Sequence, residues 1–242
     1  MCLVVIARPT APSPWELVIA SNRDERHDRP ADALHWWPDA PAIAGGRDRR
    51  AGGSWFAVAR DGRFAAVLNA AGPARPDAPS RGSLVTRFLG TPGATPAELQ
   101  AQASRYTGFH ALLGDPAEVT YVARDARAPR AMTATLIACG NAGITEPGPR
   151  VGRAADGVAR SVDAGDPVPA LFAVLADSTD PGAGTGDTRP VFIRGEVFGT
   201  RCSSVLVAER ASGRVAVHER RFDAAGVCRG ERTLAWRRGR RA

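Results

Sequence analysis

Short apolar runs separated by tight-turn signals constrain the fold of this chain more than any other feature. Strand-like runs extend from Leu3 to Ala7, Glu16 to Ser21, Ser54 to Arg60 and Arg63 to Asn69. The last two flank Asp61-Gly62, a dipeptide that favours a two-residue hairpin because it tolerates positive φ. The N-terminal part is therefore predicted to form an antiparallel sheet.

Helical patterns alternate with further strand patterns in the rest of the chain. Helices are predicted from Ser83 to Leu89, Pro96 to Tyr106, Val151 to Val162 and Val168 to Ala176, and strands at 109–113, 119–123, 133–139, 200–208 and 214–221. Residues 22–53 lack clear periodicity and are predicted to be a functional segment or surface excursion, and 178–189 a mobile loop. This order favours an α+β fold, a layered sandwich with helices outside two sheets.

Length and composition limit the class of protein. At 242 residues with 44% apolar content, one domain over 1–236 with a basic tail at 237–242 is expected. No apolar run approaches the roughly 18 residues of a membrane span, and no signal peptide is recognisable, which predicts a cytoplasmic protein without a transmembrane segment. Four cysteines far apart, without CxxC or zinc-type spacing, predict free thiols and no metal site.

The charge pattern excludes several mechanisms. All 32 basic residues are arginine, so a Walker A lysine, a Schiff-base lysine and a Ser-Lys dyad are absent. The formal net charge is +7, and residues 229–242 hold six arginines against Glu231, a net of +5. A solvated, frayed terminus explains this excess better than a specific nucleic-acid partner.

Cys2 allows two interpretations. If Met1 is removed, Cys2 carries both a thiol and a free α-amine, and that amine has an ordinary pKa of about 7.7 to 8.0, so it can act as general base for the thiol. In the alternative, Cys2 is a small apolar residue buried at the start of a strand.

Four polar clusters follow or begin predicted strands. They are Asn22-Arg23-Asp24-Glu25, Asn69, Gly140-Asn141-Ala142-Gly143 and Gly199-Thr200-Arg201-Cys202-Ser203-Ser204. An arginine beside a carboxylate can orient an amine or thiol, an asparagine can donate to an oxyanion, and Arg201 and Ser204 can line a pocket. Each cluster is equally compatible with ordinary turn chemistry.

Taken together, the ordered motifs resemble the NRDE family, also called the transport and Golgi organisation family. The resemblance rests on Met1-Cys2, Asn22 to Glu25 followed by Arg29-Pro30, Trp36-Trp37, Gly45-Gly46-Arg47-Asp48, Gly52-Gly53-Ser54-Trp55, Asn69, Ser80-Arg81-Gly82, Gly140-Asn141 and Gly199-Thr200-Arg201. That family is similar to the N-terminal nucleophile (Ntn) hydrolases, which implies a four-layer α-β-β-α sandwich of two antiparallel sheets.

The closer likeness is to the choloylglycine hydrolase and penicillin acylase branch. It implies catalytic roles for Cys2, Asp24, Asn69, Asn141 and Arg201, and substrate-binding roles are expected for Asn22, Arg23, Trp37, Arg47 and Ser204. Two departures from these patterns stand out. Ser21 occupies the position three residues before Asp24 where the branch has an arginine, and 145–149 replace a Pro-Trp-Pro-like segment.

Two functions follow from the resemblance. The first is hydrolysis of a small-molecule acyl amide by an N-terminal cysteine, a reaction that requires no cofactor. The alternative is a non-catalytic carrier of haem or another hydrophobic ligand, with Cys2, His27, His35, His110 and His218 as candidate ligands. The sequence indicates neither the substrate nor the oligomeric state.

Overall fold

The computed structural model describes residues 2–73, 75–144, 148–163, 165–180 and 187–239. Within these ranges the strands are Cys2–Ala7 (β1), Trp15–Arg26 (β2), Ala31–Trp37 (β3), Ala40–Asp48 (β4), Phe56–Ala59 (β5), Phe64–Asn69 (β6), Phe109–Gly114 (β7), Val119–Ala123 (β8), Arg130–Ala131 (β9), Leu136–Cys139 (β10), Phe198–Glu209 (β11), Arg214–Phe222 (β12) and Cys228–Arg237 (β13). The helices are Gly82–Gly90 (α1), Pro96–Ala101 (α2), Gly148–Ser161 (α3) and Val168–Leu175 (α4), with a 3-10 turn at Ala103–Arg105.

The chain divides into two compact units. The first comprises the described residues of Met1–Asp28 and Ala134–Arg237, and the second those of Arg29–Thr133 and Arg238–Ala242. Each unit has one antiparallel sheet with helices packed against it, and the strand orders are β10-β1-β2-β11-β12-β13 and β3 through β9 in sequence. The predicted α+β class with two antiparallel sheets is confirmed. The single domain over 1–236 stays a prediction.

In the first unit, alternation along the strands gives the sheet one apolar face toward α3 and α4. Its cluster includes Leu3 and Val5 of β1, Val18 and Ala20 of β2, and Val158 of α3. Each fully buried valine or leucine side chain in this cluster contributes about 1.5 to 3 kcal/mol through removal from water. We call this side of the sheet the helix face.

In the second unit, α1 and α2 cover the sheet of β3 to β9. Val85 and Phe88 of α1 pack with strand residues of β4 to β8, and Thr95 and Glu98 close a capping box at the start of α2. The Arg63 guanidinium donates to the last carbonyls of α1, at 2.8 Å to Phe88 O and 3.2 Å to Leu89 O. The capping box thus stabilises the start of α2, and Arg63 ties the end of α1 to the sheet.

Two segments differ from the sequence predictions. Residues 22–53 lack clear periodicity, which predicts a functional segment or surface excursion, and in the structure they complete β2 and form β3 and β4. The arginine-rich segment from residue 229 is predicted to be a frayed terminus, but it forms most of β13. This strand pairs antiparallel with β12, and the paired residues run from Phe222 opposite Cys228 to Arg214 opposite Arg237. Parts of the predicted loop at 178–189, of the departure at 145–149 and of the basic tail lie outside the described residues, as does Met1.

Close packing explains why β4 carries two glycines. A Cβ on Gly46 would lie 2.4 Å from the indole ring of Trp55, and one on Gly45 would lie 2.8 Å from Phe56 O. Real Cβ atoms do not approach other atoms that closely, so this strand requires glycine where β-branched residues usually occur.

Across the described residues, every helix is too short or too polar to cross a bilayer.

Candidate active site

Cys2 begins β1, an interior strand of the first sheet. β1 pairs with β10 on one side and with β2 on the other. In the β1–β2 register, Cys2 is opposite Arg23, the second residue of the Asn-Arg-Asp-Glu motif. Cys2 is half-buried and its thiol is free, so this position suits a reactive group as well as a packed one.

Alternation along β1 determines where the thiol points. Leu3 belongs to the helix face, so Cys2 lies on the opposite face of the sheet. Arg23 is opposite both Cys2 in β1 and Cys202 in β11, and it is only 5% exposed. We call the side defined by Cys2, Arg23 and Cys202 the thiol face. Ser204, two residues beyond Cys202, is buried on the same side.

Arg201 occupies an irregularity between β2 and β11. Thr200 pairs with Asp24 and Cys202 pairs with Arg23, which leaves Arg201 as the extra residue of a β-bulge. Its Nη1 donates to the carbonyl oxygens of Arg26 at 2.8 Å and His27 at 2.9 Å. The bulge and these bonds anchor Arg201 at the motif end of β2.

Several charged groups surround Cys202 on the thiol face. Burial raises the pKa of Cys202 well above its ordinary value and the charge of Glu219 raises it further, while Arg23 and Arg221 act in the opposite direction. Burial disfavours the charged form of Arg201 and so lowers its pKa, and the charges of Arg23 and Arg221 lower it further. The three guanidinium groups therefore form a positive cluster near Cys202.

Asp24 lies on the helix face, within a buried network. Its Oδ2 accepts a hydrogen bond from Arg150 Nη2 of α3 at 2.5 Å, and its Oδ1 accepts one from Thr200 Oγ1 at 2.6 Å. The side chains of Arg150 and Asp24 are fully buried. Arg150 Nη1 also pairs with Asp187 at 3.3 Å, and Asp187 pairs with Arg189 at 2.7 Å. The resulting cluster has two positive and two negative charges.

Asn22 faces the same side as Asp24 and binds protein groups with both ends of its amide. Nδ2 donates to Leu175 O at 2.9 Å and to Val191 O at 3.0 Å, while Oδ1 accepts from Ser203 Oγ at 2.6 Å. The side chain is completely buried. Its expected substrate-binding role stays a prediction, one that would require these bonds to be exchanged.

Asn141 lies in the turn after β10, beside the end of β1 that starts with Cys2. The last β1–β10 pair is Val4–Cys139, and a tight turn follows it directly. Gly140 and Gly143 exchange backbone hydrogen bonds across this turn, at 3.3 and 3.1 Å, with Gly143 at φ 92°. The turn therefore presents the half-buried Asn141 at the Cys2 end of the sheet.

Three predicted site residues lie in the second unit. Asn69 ends β6 opposite Phe109. Trp37 is 2% exposed and donates from Nε1 to Gly45 O at 3.0 Å. The Arg47 guanidinium stacks 4.3 Å from the Trp37 ring centroid and forms two bonds with Asp39, at 2.7 and 2.8 Å. These contacts give Trp37 and Arg47 a local packing role, and their substrate-binding roles stay predictions.

The candidate haem ligands belong to no group of three or more His, Cys, Asp or Glu side chains that could hold a metal ion, in the part of the chain that the structure describes. Each histidine uses one ring nitrogen in a hydrogen bond, with partners Gly195 O for His27, Ala33 O for His35, Tyr121 Oη for His110 and Thr233 Oγ1 for His218. Haem binding stays a prediction.

The structure thus separates the predicted residues of the first unit by sheet face. Cys2, Arg23 and Ser204 lie on the thiol face, Arg201 is in the adjacent bulge, and Asn22 and Asp24 lie on the helix face. Sequence reasoning missed Arg150. Its signal was a charged residue on the apolar stripe of α3, which continues through Ala154 and Val158 at helical spacing.

Comparison with known proteins agrees with the motifs. The family model described as Transport and Golgi organisation 2 matches residues 1–224. The chain belongs to this family. A mouse Transport and Golgi organization 2 homolog is 34% identical over 96 residues, 37% of this chain and 35% of the relative. The human homolog is 30% identical over 125 residues, which cover 48% of this chain and 45% of the human protein. The matches thus span less than half of these relatives.

The fold of this member of the Transport and Golgi organisation 2 family is similar to that of a solved structure. The C2A mutant of a conjugated bile acid hydrolase from Clostridium perfringens aligns with a TM-score of 0.54 at 9% identity, covering 97% of this chain and 92% of that one. An N-acylethanolamine-hydrolyzing acid amidase ortholog from Caenorhabditis elegans aligns with a TM-score of 0.47 at 12% identity, covering 85% and 92%. The first likeness confirms the Ntn-hydrolase-like fold.

Proposed function

We propose that this chain is an N-terminal cysteine amidohydrolase acting on acyl-amide bonds outside peptides. Once Met1 is removed, the α-amine of Cys2 takes the thiol proton and the thiolate attacks the amide carbonyl carbon. The tetrahedral intermediate collapses, the C–N bond breaks and the departing amine takes the proton from the α-ammonium. Water then attacks the thioester carbonyl, releases the carboxylic acid and restores the thiol.

The observation that carries this proposal is the position of Cys2. It is the first residue of an interior strand, and its side chain shares a face with Arg23. A fixed positive charge near an attacking thiolate stabilises the negative charge that develops on the carbonyl oxygen. The bile acid hydrolase with this fold was solved as a C2A mutant, so it too has a cysteine at its second position.

The remaining assigned roles are part of the same proposal. Asn141 orients the amine or the substrate, and Arg201 contributes positive charge at the thiol face. Asn69 is the side-chain donor to the oxyanion that the resemblance assigns. Asp24 holds the geometry of the site, and in the resemblance it also holds the α-ammonium.

The test combines turnover, covalent labelling and intact mass. Wild type and Cys2→Ala are compared on a panel of acyl amides with different acyl chains and amines. We expect Cys2→Ala to lose at least about 1,000-fold in turnover, because no other group supplies the nucleophile. The intact mass of active wild type should lack one methionine, and an electrophile should label Cys2 in peptide maps.

The matched control is Cys228→Ala, which removes an exposed thiol from β13 and should leave turnover unchanged. Equal turnover or equal electrophile labelling of wild type and Cys2→Ala would contradict the proposal. An active protein that retains Met1 would do so as well, because the α-amine of Cys2 would then be an amide.

A further inference from the structure

Arg150 is an unusual residue for its position in α3. It lies in the first turn of the helix, where the positive end of the helix dipole disfavours a cation, and its side chain is fully buried. Burial lowers its pKa, but the charges and hydrogen bonds of Asp24 and Asp187 outweigh that effect and raise it. Arg150 is therefore a buried cation at a position where the helix dipole alone makes a cation unfavourable.

The contacts of Arg150 converge on the Asn-Arg-Asp-Glu motif. Nη2 donates to Asp24 Oδ2 at 2.5 Å and to Val191 O at 3.0 Å, and the backbone N–H donates to Asp187 O at 3.0 Å. Val191 O also accepts from Asn22 Nδ2. One guanidinium group thereby joins α3, the end of β2 and the segment that leads into β11.

Asp24 transmits this fixation to the residues around the thiol. It directly follows Arg23, which is opposite both Cys2 and Cys202. Its second oxygen binds Thr200, the residue immediately before the Arg201 bulge. A shift of the Asp24 carboxylate would therefore move two strand ends, the one that carries Arg23 opposite Cys2 and the one that carries Arg201.

We propose that Arg150 is a positioning residue of the Cys2 site and acts through Asp24. It touches no reacting atom. Instead it fixes the Asp24 carboxylate between α3 and β11, and so sets where Arg23 and Arg201 stand relative to the thiol. The inference rests on the proposed function, because it takes Cys2 as the reactive group.

A double-mutant cycle on the full chain tests this role. The rate of Cys2 alkylation by iodoacetamide is measured by peptide mapping in wild type, Arg150→Met, Asp24→Asn and the double variant, below the melting temperature of each. Each single substitution should change the rate by about tenfold, and the double variant should differ little from Asp24→Asn. Asp187 keeps Arg189 as a partner throughout, so the double variant leaves no buried carboxylate uncompensated.

Two further variants separate positioning from general stability. Arg150→Lys keeps the charge and should give a rate between those of wild type and Arg150→Met. Arg153→Met removes another Arg–Asp pair from α3, the exposed one with Asp177, and should alkylate like wild type. Unchanged alkylation in Arg150→Met, or effects of Arg150→Met and Asp24→Asn that multiply in the double variant, would overturn the proposal.

If Arg150→Met does not fold, Thr200→Val tests the Asp24 step of the proposal without removing a charge, because Arg150 still binds the other carboxylate oxygen. It breaks the second hydrogen bond of the Asp24 carboxylate and should also change the alkylation rate, and a wild-type rate in this variant would overturn the proposal. Alkylation needs no substrate. Positioning by Arg150 can therefore hold even if every amide panel shows no turnover, and the two failures remain distinguishable.

Discussion

The side chains of Cys2 and Asp24 lie on opposite faces of the same antiparallel sheet. Cys2 shares its face with Arg23 and Cys202, whereas Asp24 points toward α3 and binds Arg150. The motif is thus divided by strand alternation, since Asn22 and Asp24 anchor the helix side and Arg23 faces the thiol side. Asp24 can therefore affect the Cys2 site through the backbone of β2, which connects it directly to Arg23.

Three of the four cysteines should differ sharply in reactivity. Burial raises the pKa of Cys139 to about 12 and that of Cys202 well above its ordinary value, and both thiols are buried while Cys228 is exposed. Because thiolates react and buried thiols do not, Cys139 and Cys202 should alkylate at least about 100-fold more slowly than Cys228 at pH 8. Peptide mapping in native buffer and in urea checks this, and rapid native labelling of Cys202 would contradict it.

Asn22 should be a determinant of stability. Replacing it with alanine removes three buried hydrogen bonds and leaves Leu175 O without this donor, so the free energy of unfolding should fall by about 2 to 4 kcal/mol. Ser203→Ala removes one of these bonds and should cost about 1 kcal/mol. Urea unfolding measures both, and equal losses in the two variants would show that the backbone bonds of Asn22 contribute nothing.

The sequence predicted most elements whose apolar residues follow a regular period, such as β1, β6, α3 and α4. It missed β4 because close contacts force glycine at 45 and 46, which removes the side chains by which a strand is recognised. It missed β3 because this outer strand buries only Leu34 and Trp37, which do not follow a two-residue period. It missed β13 because this strand is largely exposed and rich in arginine. For β4 and β13, a tertiary or solvent constraint overrode the local pattern.

The candidate site was also predictable only in part, because the sequence shows which polar residues end a strand but not which face of the sheet each occupies. Polar residues at strand ends drew attention to Asp24 and Arg201 without any contact information. Their separation by sheet face depends on the register and on the bulge at Arg201, which local sequence does not encode. Arg150 lies 126 residues from its partner Asp24, so no local spacing connects the two.

Two glycines provide a matched test of packing. A Cβ on Gly53 would lie 2.4 Å from the carbonyl carbon of Gly82, which is backbone and cannot turn aside. Gly53→Ala should therefore destabilise by about 2 kcal/mol or more. Gly152 lies in α3 with nothing within 4 Å of a Cβ, so Gly152→Ala should stabilise by about 0.5 to 1 kcal/mol. Thermal melting distinguishes these outcomes, and a loss of stability in Gly152→Ala would contradict the second.

Acid should weaken the fold partly through Asp187. Burial raises its pKa, but Arg189 and Arg150 outweigh this and hold the pKa below its ordinary value. A carboxyl group of this kind stabilises the fold above its unfolded pKa of about 3.9, and the contribution is lost as pH falls through the lower folded value.

Asp187→Asn should therefore lower the free energy of unfolding at pH 7 by on the order of 1 kcal/mol and should flatten its decline below about pH 4. Urea unfolding at pH 7, 5 and 3 measures the change. Asp125→Asn, whose side chain is 79% exposed, is the control and should run parallel to wild type. A decline in Asp187→Asn as steep as that of wild type would contradict the assignment.

The arginines of β13 have a consequence for how separate molecules meet in solution. β13 is an outer strand of its sheet, and the unpaired backbone groups of an outer strand invite another strand to add. Arg232 and Arg237 place positive charge along this outer strand, whereas Arg229 is paired with Asp223. Like charges along this edge disfavour the addition of a strand from a second molecule, and the repulsion weakens as salt screens it.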